Sequence, residues 1–126
     1  MSLRSPLGRV LGMGSARDGT GHWLAQRLSA VALIPLTLWF FFSLLGLPAL
    51  DYAAVRAWLA LPFNGFLALL LVAALAYHSY LGTAVVIEDY VHGNGMKLFL
   101  SLLLRFVYVL CGGAGLFAIL RVAFGS

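Results

Sequence analysis

Three long apolar segments, separated by short polar stretches, dominate the hydrophobic pattern of this chain. Residues 28–47 and 66–87 are runs of 20 and 22 residues without a charge, and residues 98–120 are a run of 23 residues with one charge, Arg105. About 20 apolar residues in a helix cross a hydrocarbon core of about 30 Å. In lipid only helices and closed barrels satisfy their own backbone groups, and three segments cannot close a barrel. The pattern therefore predicts an all-α integral membrane protein with three transmembrane helices.

The stretches outside these segments are short. Residues 52–61 predict a short helix that lies at the membrane interface with Trp58. Residues 1–22 predict a tail, irregular over residues 4–21 unless a partner orders it, because glycines and arginines dominate there without apolar periodicity. The whole chain, residues 1–126, is predicted to be a single membrane-embedded domain.

The distribution of lysine and arginine predicts the orientation, because these residues are enriched in cytoplasmic loops. One side of the predicted membrane carries five of them, and the other side carries only Arg56 and Arg121. The amino terminus is therefore expected in the cytoplasm and the carboxyl terminus outside. The five are Arg4, Arg9, Arg17, Arg27 and Lys97.

The composition excludes an ordinary soluble domain. Charged residues make up 10% of the chain and hydrophobic residues 63%, whereas soluble domains carry roughly 25% charged residues. The net charge is +4, but the basic residues do not cluster as they do in proteins that bind nucleic acid. The single cysteine, Cys111, lies in an apolar run and has no partner in the chain for a disulfide.

A histidine lies deep within the second predicted span. His78 precedes Glu88 by ten residues, which is about 15 Å along a helix and reaches mid-membrane. An ionisable group at this depth is costly, so it is a functional candidate. One interpretation is an axial haem ligand, with Gly82 leaving room for the flat macrocycle. The other is a histidine that only hydrogen-bonds a neighbouring helix. The predicted spans contain no second histidine, so a haem with two histidine ligands would need another subunit.

A polar pair, Asp89 and Tyr90, follows at the end of the same span. Eleven residues separate His78 from Asp89, which is close to three helical turns and predicts a shared helix face. A phenol there could hydrogen-bond a quinone carbonyl while Asp89 orients donors or relays protons. The alternative is an ordinary pair of border residues, since tyrosines are common at membrane interfaces.

Two arginines have competing interpretations as well. Arg27, at the predicted start of the first span, is either a haem-propionate partner or a positive-inside anchor. Arg105 lies inside the third span, on a stripe of small and polar residues that predicts a helix-packing face. That stripe consists of Ser101, Arg105, Tyr108, Gly112 and Gly115.

Two segments resemble a known family. His78 to Tyr90, H-S-Y-L-G-T-A-V-V-I-E-D-Y, resembles the second helix of the small hydrophobic membrane anchor of succinate dehydrogenase (respiratory complex II). The shared pattern is a histidine, a glycine four residues later, and Asp-Tyr eleven and twelve residues after the histidine. Gly21 to Leu33, G-H-W-L-A-Q-R-L-S-A-V-A-L, resembles the entry to the first helix of that family, above all in its alphaproteobacterial type.

The resemblance implies a role for each matching residue. His78 would be one axial ligand of a haem b shared with the larger anchor subunit, which supplies the other histidine. Tyr90 would hydrogen-bond ubiquinone with Asp89 beside it, and Arg27 would lie near a haem propionate. Arg105 has no counterpart in the pattern.

The resemblance also implies partners and a location. The chain would be a multi-pass protein of a bacterial inner membrane, bound to a cytochrome b subunit, an iron–sulfur subunit and a flavoprotein subunit. It would help to reduce ubiquinone without oxidising succinate itself. The alternatives are the anchor of a fumarate reductase, a small transporter or channel subunit with a proton-relay histidine, and an anchor without a cofactor.

Overall fold

Four helices make up the computed structural model, which describes the backbone of residues 16–125 and the side chains of residues 20–125. They are α1 (Ala16–Leu45), α2 (Tyr52–Ala60), α3 (Pro62–Tyr90) and α4 (Asn94–Phe124). Three of them, α1 from Thr20 onward, α3 and α4, are long and apolar enough to cross a membrane. Residues 16–125 contain no strand. The predicted fold class is confirmed, while the side of the membrane on which each terminus lies stays a prediction.

The first helix begins earlier than the hydrophobic pattern indicates. It includes residues 16–27 ahead of the predicted span, so the expectation of an irregular tail is wrong for residues 16–21. Residues 1–15 lie outside the described part of the chain. Once the apolar span is helical, each added residue gains a backbone hydrogen bond without a new nucleation cost. Summed over the residues between 16 and 27, propagation from the stable span extends the helix although single glycines in it are unfavourable.

The long helices lie side by side in an open row. α3 is in the middle, with α1 packed on one side and α4 on the other, and no close backbone approach joins α1 to α4. Only a few of the described residues are buried, among them Ser29, Trp58, Ala68, Leu71 and Leu81. Most large apolar side chains are exposed on the faces of the row. Those faces are therefore available to lipid and to other membrane chains.

Small residues bring α3 and α4 together. A Cβ atom added at Gly112 would lie 3.4 Å from Ala76 Cβ, and one added at Gly115 would lie 3.1 Å from Val72 Cγ1. Beside them, the hydroxyl groups of Tyr108 and Thr83 are 3.1 Å apart. The predicted packing face of the third span is confirmed at these positions, because small residues let helix backbones approach closely in lipid.

The short helix α2 is present where the sequence predicts it, while its position at the membrane interface stays a prediction. The Asp51 carboxylate caps its first turn by accepting from the Ala54 amide at 2.8 Å. Trp58 is 8% exposed, stacked on Trp39 with ring centroids 5.4 Å apart. Its indole therefore contacts α1, whereas the backbone of α2 lies against α3 and α4.

Candidate functional site

His78 is held by a hydrogen bond from α3 to α1. Its Nδ1 lies 3.0 Å from the Oγ of Ser29, a residue that is 8% exposed. The same Oγ is 3.0 Å from the backbone carbonyl oxygen of Gln26, one turn earlier in α1. Both helices are continuous at this point, so the contact joins two long helices that also pack on each other elsewhere along their length. His78 is half-buried.

The second ring nitrogen of His78 has a different environment. No residue among 20–125 hydrogen-bonds to Nε2, and this atom is not fully buried. A half-buried imidazole with one nitrogen bonded and the other accessible has the arrangement that a metal-ligating histidine needs.

Gly82 makes room for a side chain of the same protein. A Cβ atom at Gly82 would lie 3.6 Å from the Nε2 atom of Gln26, so α1 covers this position. Whether the missing side chain at Gly82 also leaves room for a macrocycle stays a prediction. The Oε1 atom of Gln26 is buried and has no hydrogen-bond partner within the described part of the chain, which leaves a polar atom unsatisfied between α1 and α3.

Arg27 is not brought to His78. It follows Gln26 in α1 and is exposed, with its guanidinium carbon 5.5 Å from the centroid of the Trp23 ring. Two residues in a helix correspond to about 200° of rotation, so Arg27 and Ser29 lie on nearly opposite sides of α1. The position of Arg27 is also near the middle of α1 rather than at its start. Its role toward a haem propionate stays a prediction.

Asp89 and Tyr90 are the last two residues of α3 and both are exposed, Tyr90 to 79%. Because α3 is continuous from Pro62, Asp89 lies about 16 Å along the axis from His78 and within about 20° of it in rotation. The side chains of this pair make no hydrogen bond to the residues that the structure describes. The pair is thus open to a ligand or to another chain.

A second polar group lies on the other side of α3. The Arg105 Nε atom donates to the Tyr80 hydroxyl at 3.2 Å, and the Tyr80 and Tyr108 rings meet edge to face at 5.9 Å. A cavity of about 420 Å³ opens beside them, lined mostly by apolar atoms of α3 and α4. Arg105 therefore has the Tyr80 hydroxyl group as its hydrogen-bond partner within the described chain. The sequence did not predict Tyr80 as the partner of Arg105 or Ser29 as the partner of His78.

Comparison with known proteins places this geometry in a family. Residues 1–112 match the succinate dehydrogenase/fumarate reductase transmembrane subunit family. The chain belongs to that family. Transmembrane subunits of this kind are multi-pass proteins, in agreement with the three spans, and the bacterial relatives agree with the predicted location in an inner membrane.

Three similar proteins are each named succinate dehydrogenase hydrophobic membrane anchor subunit. The protein from Rickettsia bellii is 34% identical over 95 residues, covering 75% of this chain and 76% of its own. The one from Rickettsia conorii is 35% identical over 85 residues, covering 67% and 68%. The one from Paracoccus denitrificans is 30% identical over 126 residues, covering 100% and 97%. The resemblance to the alphaproteobacterial membrane anchor is thereby confirmed. A small transporter or channel subunit is not supported.

Proposed function

We propose that this transmembrane subunit is the hydrophobic membrane anchor of a succinate dehydrogenase and helps to form a haem b site and a ubiquinone site. The observation that carries the proposal is the state of His78. The half-buried imidazole of His78, in the second half of the central helix, has Nδ1 within hydrogen-bond distance of Ser29, and no residue among 20–125 hydrogen-bonds to Nε2.

The residues around His78 fit a haem that is shared with another chain. His78 supplies one nitrogen ligand, and the three histidines of the sequence include no other within the three long apolar runs, so the second axial ligand comes from a second anchor, the cytochrome b subunit. Bound there, the haem supplies a one-electron carrier within the membrane. This chain orients the imidazole through Ser29 and surrounds it with apolar helices.

The quinone site lies at the other end of the same helix face. Reduction of ubiquinone to the quinol takes two electrons and two protons, so its site needs a route to water. Tyr90 is exposed and can donate a hydrogen bond to a quinone carbonyl oxygen, while the Asp89 carboxylate beside it takes up protons from water and passes them on. Electrons come from succinate through the flavoprotein and iron–sulfur subunits, which dock on the side of the membrane where α3 ends.

The open row of helices supports the partners in this proposal. With α1 and α4 both packed on α3 and not on each other, the chain exposes two broad apolar faces rather than closing on itself. These faces suit lipid and a second anchor subunit. That partner then supplies the second haem histidine and the remaining contacts to the quinone.

An optical spectrum of the assembled complex tests the haem role. Wild-type complex purified through this chain should show b-type haem absorption, and His78→Ala should abolish or strongly shift it because one axial bond is lost. His92→Ala is the matched control, since His92 is exposed just after the end of α3, and it should leave the spectrum unchanged. A normal haem spectrum in fully assembled His78→Ala complex would contradict the proposal.

A further inference from the structure

The hydroxyl group of Ser29 contacts two atoms, a carbonyl oxygen that can only accept a hydrogen bond and a ring nitrogen that can donate or accept one. Its Oγ lies 3.0 Å from the Gln26 backbone carbonyl oxygen and 3.0 Å from His78 Nδ1. A carbonyl oxygen only accepts, whereas an imidazole nitrogen either donates or accepts according to the tautomer. Ser29 has a single proton to give, so the two contacts are linked.

The two possible arrangements differ in how many hydrogen bonds they form. If Ser29 donates to the Gln26 carbonyl, the His78 Nδ1–H donates to Oγ, both contacts are used, and the lone pair lies on Nε2. If Ser29 donates to Nδ1, the proton lies on Nε2, where no residue among 20–125 accepts it. An N–H group without an acceptor is costly in an apolar medium. The first arrangement is therefore favoured.

We propose that Ser29 is a positioning residue that holds His78 in the Nδ1–H tautomer and directs its Nε2 lone pair outward as a metal ligand. The role of Nε2 as a metal ligand rests on the proposed haem function, whereas the preference for the Nδ1–H tautomer does not. An acceptor for the second N–H of a ligating histidine fixes the plane of the ring and raises its basicity. Ser29 is suited to this because it is buried and is held in turn by its own helix.

Removal of the Ser29 hydroxyl group should change the haem midpoint potential and the retention of haem in predictable directions. Without Oγ, the Nδ1–H of His78 has no acceptor, so the ring is less basic and less firmly oriented. A less basic axial ligand stabilises ferric haem less, so the midpoint potential should rise. Haem should also be retained about 10–100-fold less tightly, the usual effect of removing such a partner.

The test uses the complete complex and two comparison variants. Ser29→Ala should raise the haem midpoint potential in a redox titration and release haem faster, whereas Ser29→Thr, which keeps a hydroxyl, should stay near wild type. Thr37→Ala is the matched control. Its hydroxyl also donates to α1 carbonyls, those of Leu33 and Ile34, without reaching His78. A wild-type potential and wild-type haem retention in assembled Ser29→Ala complex would overturn the proposal.

A direct measurement of the tautomer separates this inference from the haem proposal. Nitrogen NMR of ¹⁵N-histidine in the full chain without haem should show His78 with Nδ1 protonated and Nε2 unprotonated, and Ser29→Ala should lose that preference. A proton on Nε2 in the wild type would overturn the inference even if haem is present. If the wild-type complex holds no haem but His78 is the Nδ1–H tautomer, only the haem proposal fails.

Discussion

The Oγ of Ser29 and the Nδ1 of His78 lie 3.0 Å apart although 49 residues separate them in the chain. Ser29 is near the middle of α1 and His78 is in the second half of α3, so this contact is one of those that depend on the register and the rotation of the two packed helices. Gln26 packs against Gly82 one turn away on the same face. The seam between α1 and α3 is thus polar at its centre, in contrast to the apolar faces that the row exposes.

Tyr90→Phe should reduce quinone reduction while leaving succinate oxidation with an artificial upstream acceptor normal. The change removes one hydrogen bond, worth about 0.5–1.5 kcal/mol, or roughly a two- to tenfold effect on quinone turnover. Tyr52→Phe is the control, because Tyr52 is similarly exposed but lies on α2. A parallel loss of both activities would indicate an assembly defect, and no loss would make Tyr90 an ordinary border tyrosine.

The orientation can be measured with reporter fusions. The Lys and Arg distribution predicts a cytoplasmic signal for a fusion near Gly14 and an outside signal for a fusion after Ser126. Moving positive charge should weaken this preference, so Lys97→Gln together with Leu61→Lys is expected to produce mixed topology. Reporters that place both termini on the same side would contradict the three-span fold.

Gly115→Ala should weaken the packing of α3 on α4. The new methyl group would lie 3.1 Å from Val72 Cγ1, whereas at Gly113 it would meet nothing within 4 Å. Overpacking of this kind costs about 1–3 kcal/mol, so Gly115→Ala complex should unfold at lower denaturant concentration than Gly113→Ala complex. Because both changes replace glycine by alanine in α4, the difference isolates the contact. Equal stability of the two would show that α3 and α4 adjust without strain.

Gln26→Leu should be neutral or stabilising. The buried Oε1 atom of Gln26 has no hydrogen-bond partner among residues 20–125, and an unsatisfied buried polar atom costs about 1–3 kcal/mol. Thermal stability of the complex together with the haem spectrum checks this, with Gln26→Glu as the opposite change, since it places a charge in the same seam. A stable Gln26→Leu complex without haem would instead assign Gln26 to the cofactor.

The amino-acid sequence by itself determined the three spans, their order and the short helix between the first two. These features depend on local properties, namely the length of an apolar run and the residues that end it. The hydrocarbon thickness requires about the same length of every spanning helix. It also singled out His78, because an ionisable residue in such a run is conspicuous wherever its neighbours lie.

The partners of those residues were decided only by the tertiary structure. Ser29 contacts His78, Arg27 turns away from it, and Trp58 is buried on Trp39 because two packed helices have one rotation and one register between them. These are set by the sum of many small contacts, such as Gln26 against Gly82, and no single residue carries them as a local signal. The helical conformation of residues 16–21 has a different cause. A helix propagates from a stable span into a neighbouring sequence that would not nucleate a helix by itself.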